Sequence, residues 1–508
     1  MKKRIAFIAI CLVVAICLAT LVACNADINI QGNCKHVDKN NDEKCDLCRK
    51  SVVVSVKLFA INDLHGMYAD SANQPGVDEL TTYFKNSQKT TNTVILASGD
   101  MWQGSSESNN TKGALATEWL NYIDCASMTL GNHEFDWSTD KIKANARLAE
   151  FPFLAINVFD RATNKRVEYC DASVVVDFGE AKIGIIGAIG DCYSSISSSM
   201  CGDVYFKVGD ELTKLVQDES NRLRAQGVDY IVYSVHDGRG YGYSYSEIVP
   251  DRAMDWYDVS LSNGYVDMVF EGHTHQSYCY TDSYGVYHVQ AGGYNKGIST
   301  ATARINIANQ KCKTSDVGVV RSDVYSACAS DPIVDNLVEK YKDQIGNPSE
   351  VVALLPYGAS SNTIADKVAE LYCKKGLEIW GDKYDIVLGG GYIKTRSPYS
   401  LDGGEVTKSM IQTLLPFDNK IVLCALNGTQ VNNKFIYSSN ENYHIRFSEY
   451  GLNMKDKLLD TNYKNNTYYV VTDTYTSDYH HLNVVETLSD TVFARDLLCE
   501  YLKDGGIF

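Results

Sequence analysis

The chain has no surplus of positive charge. Lys and Arg number 47 against 63 Asp and Glu, giving a formal net charge of -16. An acidic chain does not make the broad positive field that a nucleic-acid polymer requires. An anionic substrate must therefore meet metal ions or a local basic pocket. The chain also has no internal repeat and no low-complexity segment. It has 16 cysteines but no dense disulfide framework: ten of them, from Cys125 onward, are spread without repeating spacing. Cys192 and Cys201 are near enough to bridge a loop, although connectivity cannot be read from sequence.

Charge is absent altogether from residues 5–23, which follow Lys2, Lys3 and Arg4 and end in Leu21-Val22-Ala23-Cys24. That is the pattern of a secretory signal. The ending resembles a bacterial lipoprotein signal, which implies lipidation of Cys24 after removal of residues 1–23. An uncleaved membrane anchor is the other reading of the run. Both expectations put the rest of the chain outside the cytoplasm, at the extracellular face of the membrane.

With 508 residues there is room for two or three domains. Residues 24–51 read as a polar tether carrying two competing metal patterns. Cys34, His36, Cys45 and Cys48 offer three thiolates and an imidazole, which suits tetrahedral zinc. Asp38, Asn40, Asp42 and Asp46 offer oxygens, as in the first half of a calcium loop, but the turn glycine and terminal Glu of that loop are missing. A tether without metal is the third reading. Residues 52–328 alternate short apolar runs with helix-like stretches, the texture of a mixed α/β domain. Residues 329–348 read as a linker helix, with Ile333, Leu337 and Tyr341 at helical spacing. Residues 349–508 form a second mixed domain.

The strongest signal recurs five times. Apolar runs at 54–61, 93–97, 126–130, 230–235 and 266–270 each suit a buried strand. Each is followed within three residues by Asp, Asn or His, with Gly nearby. In open α/β sheets, ligands bind beyond the carboxyl ends of the strands. Strands lying side by side would bring Asp63, His65, Asp100, Asn132, His236, His273 and His275 together. Imidazole with carboxylate and amide oxygen favours zinc, manganese or a similar divalent ion. Seven ligands exceed one four-coordinate site, and Asp100 is the natural bridge between two. Such a pair of cations can activate water and neutralise phosphate oxygens. His133 follows the ligand Asn132, and Asp136 lies three residues on, within reach of its imidazole. The two read as a catalytic dyad that stabilises the transition state or protonates the leaving group.

These residues resemble the calcineurin-like metallophosphoesterase signature: Asp-x-His, Gly-Asp, Gly-Asn-His-Glu, a later His and Gly-His-x-His, over residues 56–275. Gly131-Asn-His-Glu-Phe-Asp136 is the form found in the 5′-nucleotidase branch. The resemblance implies an α+β fold: an αββα sandwich with a dinuclear centre, then a smaller mixed α/β substrate-binding domain. It implies one metal on Asp63, His65, Asp100 and His275, and another on Asp100, Asn132, His236 and His273. Leu388-Gly389-Gly390-Gly391, Arg396, Gly404-Glu-Val-Thr407 and Leu415-Pro416-Phe417-Asp-Asn419 resemble the 5′-nucleotidase C-terminal domain, and Ser361 to Asp366 resemble its opening helix. That likeness implies substrate contacts from Gly390, Gly391, Arg396 and Phe417, and a nucleotide substrate. Two departures stand out. Tyr392-Ile-Lys394-Thr intervenes before Arg396. The Gly-Gly-Asp-Gly loop of the family is absent, which leaves Tyr475 or Tyr479 as the second stacking aromatic. A phosphatase or phosphodiesterase for another ester, and a surface binding protein with a silent site, are the alternatives.

Overall fold

A computed structural model describes residues 34–68, 76–238, 264–396 and 398–508. The signal segment and Cys24 lie outside the described residues. Two six-stranded mixed sheets form the first part. One runs in the order Lys311–Arg321, Gly297–Asn306, Val53–Ile61, Asn92–Ala97, Ser127–Thr129, Phe153–Leu154. Its last four strands are parallel, and Gly297–Asn306 pairs antiparallel with Val53–Ile61. The other runs Ser277–Thr281, Tyr287–Ala291, Met268–Phe270, Tyr230–His236, Lys182–Ile189, Ser173–Asp177.

The sheets pack face to face because alternate residues of each strand are apolar. Val56, Leu58, Ala60, Val94 and Leu96 of the first meet Ile183, Ile185, Val232, Met268 and Phe270 of the second in one buried cluster. The intervening residues point the other way. Phe59, Ile61 and Ile95 take Leu80 and Phe84 of the helix Asp78–Thr90, and Leu115 and Trp119 of the helix Ala114–Tyr122. On the far side Ile186, Ile231 and Tyr233 take Leu212, Val216 and Leu223 of the helix Asp210–Ala225. The result is an αββα sandwich.

The connector is two short helices, Ile333–Lys340 and Lys342–Ile345, broken at Tyr341, in place of the single helix expected. Val334, Leu337 and Ile345 bury their side chains in the core of the first part. The C-terminal part is a five-stranded sheet in the order Tyr443–Phe447, Ile386–Tyr392, Thr467–Asp473, Ile421–Asn427, Asn483–Thr487. The helix Ser361–Trp380 covers it, capped by the Ser360 hydroxyl, which accepts from the Thr363 amide. Cys192 and Cys201 are free thiols, as are all described cysteines. Cys192 donates to the His236 carbonyl and Cys201 to that of Ser197, so they serve different turns. Among the described residues no helix is long and apolar enough to cross a membrane.

Candidate metal centre and substrate cleft

The parallel strands of both sheets end on one side of the sandwich, and the turns that follow carry the candidate ligands. Asp63, His65, Asp100, His273 and His275 all have positive φ, between 50° and 72°. Asp and His tolerate this left-handed region better than bulkier residues but still pay for it. The ligands themselves make the sharp turns, and nearby glycines make room. A Cβ on Gly131 would lie 2.3 Å from Asp100 Oδ1 and 2.8 Å from His236 Nε2, and one on Gly99 would lie 2.4 Å from His236 Nδ1.

Asp63, His65 and His275 offer ligand atoms within 4.8 Å of one another, as do Asp63, Asp100 and His236. His65 Nε2 faces His275 Nε2 at 3.0 Å, and His275 Nε2 is 3.3 Å from Asp63 Oδ1. Asp100 Oδ2 lies 3.1 Å from His236 Nε2 and 3.9 Å from His65 Nε2, so this carboxylate stands between the two halves of the cluster. His273 Nδ1 is 2.9 Å from Asn132 Oδ1.

The donor set fits divalent cations. The Nδ1 of His65 donates to the Gln103 carbonyl at 2.8 Å, and that of His236 to the Ser98 carbonyl at 2.7 Å. Each bond leaves Nε2 as the free donor atom, the usual way a protein orients a ligating histidine. His236 Nε2 is buried and, among the described residues, makes no well-formed hydrogen bond; Asp100 Oδ2 is its 3.1 Å neighbour. Burial, helped by the neighbouring His275, holds His65 well below its ordinary pKa, and burial with His236 lowers His273 to about 4. Neutral imidazoles are the ligating form. At His236 burial also favours the neutral ring, but Asp100 outweighs it and pushes the pKa up to about 10. A positive charge at that nitrogen is therefore favoured, the condition a cation would meet.

His133 sits at the rim. Its Nδ1 is 2.7 Å from Asp136 Oδ2, and its amide donates to Asp100 Oδ1 at 2.9 Å. Burial pulls its pKa down, while Asp136 and Asp100 together outweigh that and leave it raised. Arg396, from the C-terminal part, donates from Nη2 to His133 Nε2 and lies 5.2 Å over the Phe417 ring. That ring is 5.8 Å from the imidazole of His133.

A cleft of about 300 Å³ lies between the two parts. Asp100, Asn132, His133, His273 and His275 line one side; Arg396, Phe417 and Tyr475 line the other. Tyr392 and Lys394 also line it, so the stretch read as an intervening insertion supplies cleft residues. Two expectations need correction. Gly390 and Gly391 lie buried within the strand Ile386–Tyr392 and do not line the cleft. A Cβ on Gly390 would lie 2.1 Å from the His444 carbonyl, and one on Gly391 would lie 2.6 Å from the Thr476 hydroxyl, so these glycines permit close packing. Tyr479, the last residue of the helix Thr474–Tyr479, is 69% exposed and turns its ring onto His480. Of these two tyrosines, Tyr475 is the one that lines the cleft.

Sequence reasoning gave Glu134 no role. Its buried carboxylate accepts from the amides of Gly131 at 2.7 Å, Asp100 at 2.9 Å and Met101 at 2.8 Å. It ties the turn bearing Asn132 to the turn bearing Asp100. Burial and the Asp100 carboxylate push its pKa up to about 7. A Glu beside His in Gly-Asn-His-Glu was the available signal. Cys192 was also missed: its sulfur lies within 4.8 Å of donor atoms of His236 and His273, while donating to the His236 carbonyl at 2.8 Å.

Residues 56–277 match the family described as calcineurin-like phosphoesterase. This segment belongs to that family. The chain is also 23% identical over 415 residues to protein UshA of Yersinia enterocolitica, covering 73% of this chain and 72% of that one. It is 28% identical over 272 residues to an apyrase of Tabanus yao; that alignment covers 49% of this chain and 46% of the apyrase, less than half the relative's length. Among solved structures, a 5′-nucleotidase precursor from Thermus thermophilus superposes with a TM-score of 0.64 at 18% identity, over 90% of this chain and 97% of the other. The two share a fold along nearly their whole length.

Proposed function

We propose that the chain is a two-metal phosphohydrolase and, within that class, a 5′-nucleotidase that releases phosphate from nucleoside monophosphates. The observation that carries this reading is the cleft. It combines candidate metal ligands on one wall with a guanidinium and two aromatic rings, Arg396, Phe417 and Tyr475, on the other. A phosphate needs the first wall and a nucleobase suits the second, since every base offers a π-face for stacking. The calcineurin-like phosphoesterase match over residues 56–277 and the fold shared with a 5′-nucleotidase precursor support the same reading.

Asp63, His65, Asp100 and His275 would hold one divalent ion, zinc, manganese or similar, and Asp100, Asn132, His236 and His273 the other. Such ions supply charge neutralisation at the phosphate and an activated water. The chain's own groups do the rest. Arg396 is drawn from His133 Nε2 to the substrate phosphate, which frees that nitrogen. Asp136 then orients the imidazole through Nδ1 and favours its protonated form, so that His133 can donate from Nε2 to the leaving oxygen. Glu134 keeps the Asp100 and Asn132 turns in register through its three amide bonds.

Nucleotide sugars and cyclic nucleotides are further substrates of this reading. A second reading, a phosphatase or phosphodiesterase for another ester, is favoured by one observation: Lys394 and Tyr392 line the cleft in a chain that lacks the family's glycine loop. Hydrolysis of AMP, UDP-glucose, a cyclic nucleotide and a simple aryl phosphate, each followed by its own organic product and with added manganese or zinc, tests both. AMP should be preferred by kcat/KM, and preference for the aryl ester would favour the second reading. We place the enzyme at the outer face of the cell membrane, held by a lipid on Cys24, because of the Leu21-Val22-Ala23-Cys24 ending. Cys24→Ser should release it from membranes in the native host, and continued tight association would favour an uncleaved anchor.

A further inference from the structure

Residues 34–51 form a compact unit against the sandwich. Only Cys45 and Asp38 are fully buried in it. A segment this short cannot hold its shape by apolar burial, and such small units normally need a metal or a disulfide. No disulfide is present, since all three cysteines are free thiols.

Cys34, His36, Cys45 and Cys48 instead converge, with their donor atoms all within 4.8 Å of one another. Cys34 Sγ is 3.7 Å from Cys45 Sγ, and Cys48 Sγ is 3.6 Å from His36 Nδ1. Zinc bonds of about 2.3 Å to sulfur and about 2.0–2.1 Å to nitrogen at tetrahedral angles require an S···S edge of about 3.8 Å and an S···N edge of about 3.5 Å. The observed edges match both.

The oxygens of the calcium pattern are turned to other work. Asp38 accepts from the amides of Asp42 at 3.1 Å and Glu43 at 3.2 Å, and from the Asn306 side chain at 2.7 Å. Asp42 accepts from the Lys44 amide, and Asp46 from that of Lys39. These three carboxylates form no group of converging donors among the described residues.

We propose that Cys34, His36, Cys45 and Cys48 bind one tetrahedral divalent ion of the zinc class, a structural site separate from the catalytic centre. The ion pins a loop whose outer residues grip the sandwich: Glu43 pairs with Arg304 at 2.5 Å, and Asn41 accepts from Asn309 at 3.2 Å. The site lies by the start of the strand Val53–Ile61, while Asp63 follows its end. Nine strand residues span about 30 Å, so the ion cannot touch substrate in the cleft.

The full chain loaded with cobalt(II) tests this. Wild type should show a thiolate-to-cobalt charge-transfer band in the near ultraviolet. Cys45→Ser/Cys48→Ser should lose the band and about one metal ion per chain, keep phosphate-ester turnover within about twofold, and expose residues 34–51 to protease. Asp100→Asn should keep the band whatever happens to turnover, which separates this site from the catalytic reading. Should the double variant fold poorly, His36→Cys in otherwise wild-type protein should intensify the band by adding a thiolate. A wild-type protein without the band, a Cys34–Cys45 disulfide in the purified chain, or calcium binding that survives Cys45→Ser/Cys48→Ser would overturn the proposal.

Discussion

Lys112 Nζ lies 2.5 Å from Asp418 Oδ2, joining the end of a helix in the sandwich to the residue that follows Phe417. Arg495 pairs with the other oxygen of the same carboxylate and donates to the Phe417 carbonyl at 2.8 Å. The loop carrying the aromatic wall of the cleft is thus clamped to the domain that carries the metal ligands. Burial alone would raise the Asp418 pKa, but Arg495 and Lys112 outweigh it and hold it below the ordinary value.

That clamp has a pH signature. A carboxylate with a depressed folded pKa contributes stability above its unfolded pKa, about 3.9, and loses it as pH falls through the lower folded value. Asp418→Asn should therefore destabilise the chain by about 1–3 kcal/mol at neutral pH, between the worth of exposed and buried pairs. The gap between wild type and variant in thermal unfolding should close as the pH falls below about 4. A gap independent of pH would mean that the charge of Asp418 does not matter. The variant should also raise KM for AMP more than it lowers kcat.

Asp100 stands between the two halves of the ligand cluster, 3.1 Å from His236 Nε2 and 3.9 Å from His65 Nε2. Asp100→Asn should lower metal content to well under two catalytic ions per chain by elemental analysis and abolish turnover. Two tightly held catalytic ions with full activity would remove the dinuclear reading.

His133→Ala should leave metal content near normal and cut turnover by ~10²–10⁴, the usual range for a general acid–base group. Asp136→Asn should fall in the same direction by less, because it removes only the partner at Nδ1. Loss of metal from His133→Ala would mark the residue as a ligand and end the dyad assignment.

The ligand cluster is readable in the sequence because each member follows a short apolar strand, and a strand's side chains and end point are fixed by local pattern. The sandwich follows from the same alternation. What surrounds the cluster is less readable. Lys112 and Asp418 are 306 positions apart, and no local pattern announces such a pair. Gly390 and Gly391 resemble substrate-contacting glycines of the family, yet they are strand positions emptied of side chain so that His444 and Thr476 can approach. Tyr475 and Tyr479 are equivalent as letters. Only the end of a six-residue helix at Tyr479 decides which ring enters the cleft.

Phe417 decides between the two substrates. Its ring is half-buried, lines the cleft and, among the described residues, makes no ring contact beyond the tilted one with His133 and that with the guanidinium of Arg396. A core phenylalanine would have been closed off on all sides. If a nucleobase takes the open face, Phe417→Ala should lose about 1–3 kcal/mol of binding, the range for base–aromatic stacking. The loss should appear in KM or kcat/KM for AMP. Hydrolysis of a simple aryl phosphate, which need not fill the base site, should change much less. Equal losses on both substrates would indicate a packing role, because His133 and Arg396 both rest on this ring and would shift together. An unchanged kcat/KM for AMP would mean that the base lies elsewhere or that the natural ester carries none. Lys394 and Tyr392, on the same cleft, would then be the residues to test against other phosphate esters.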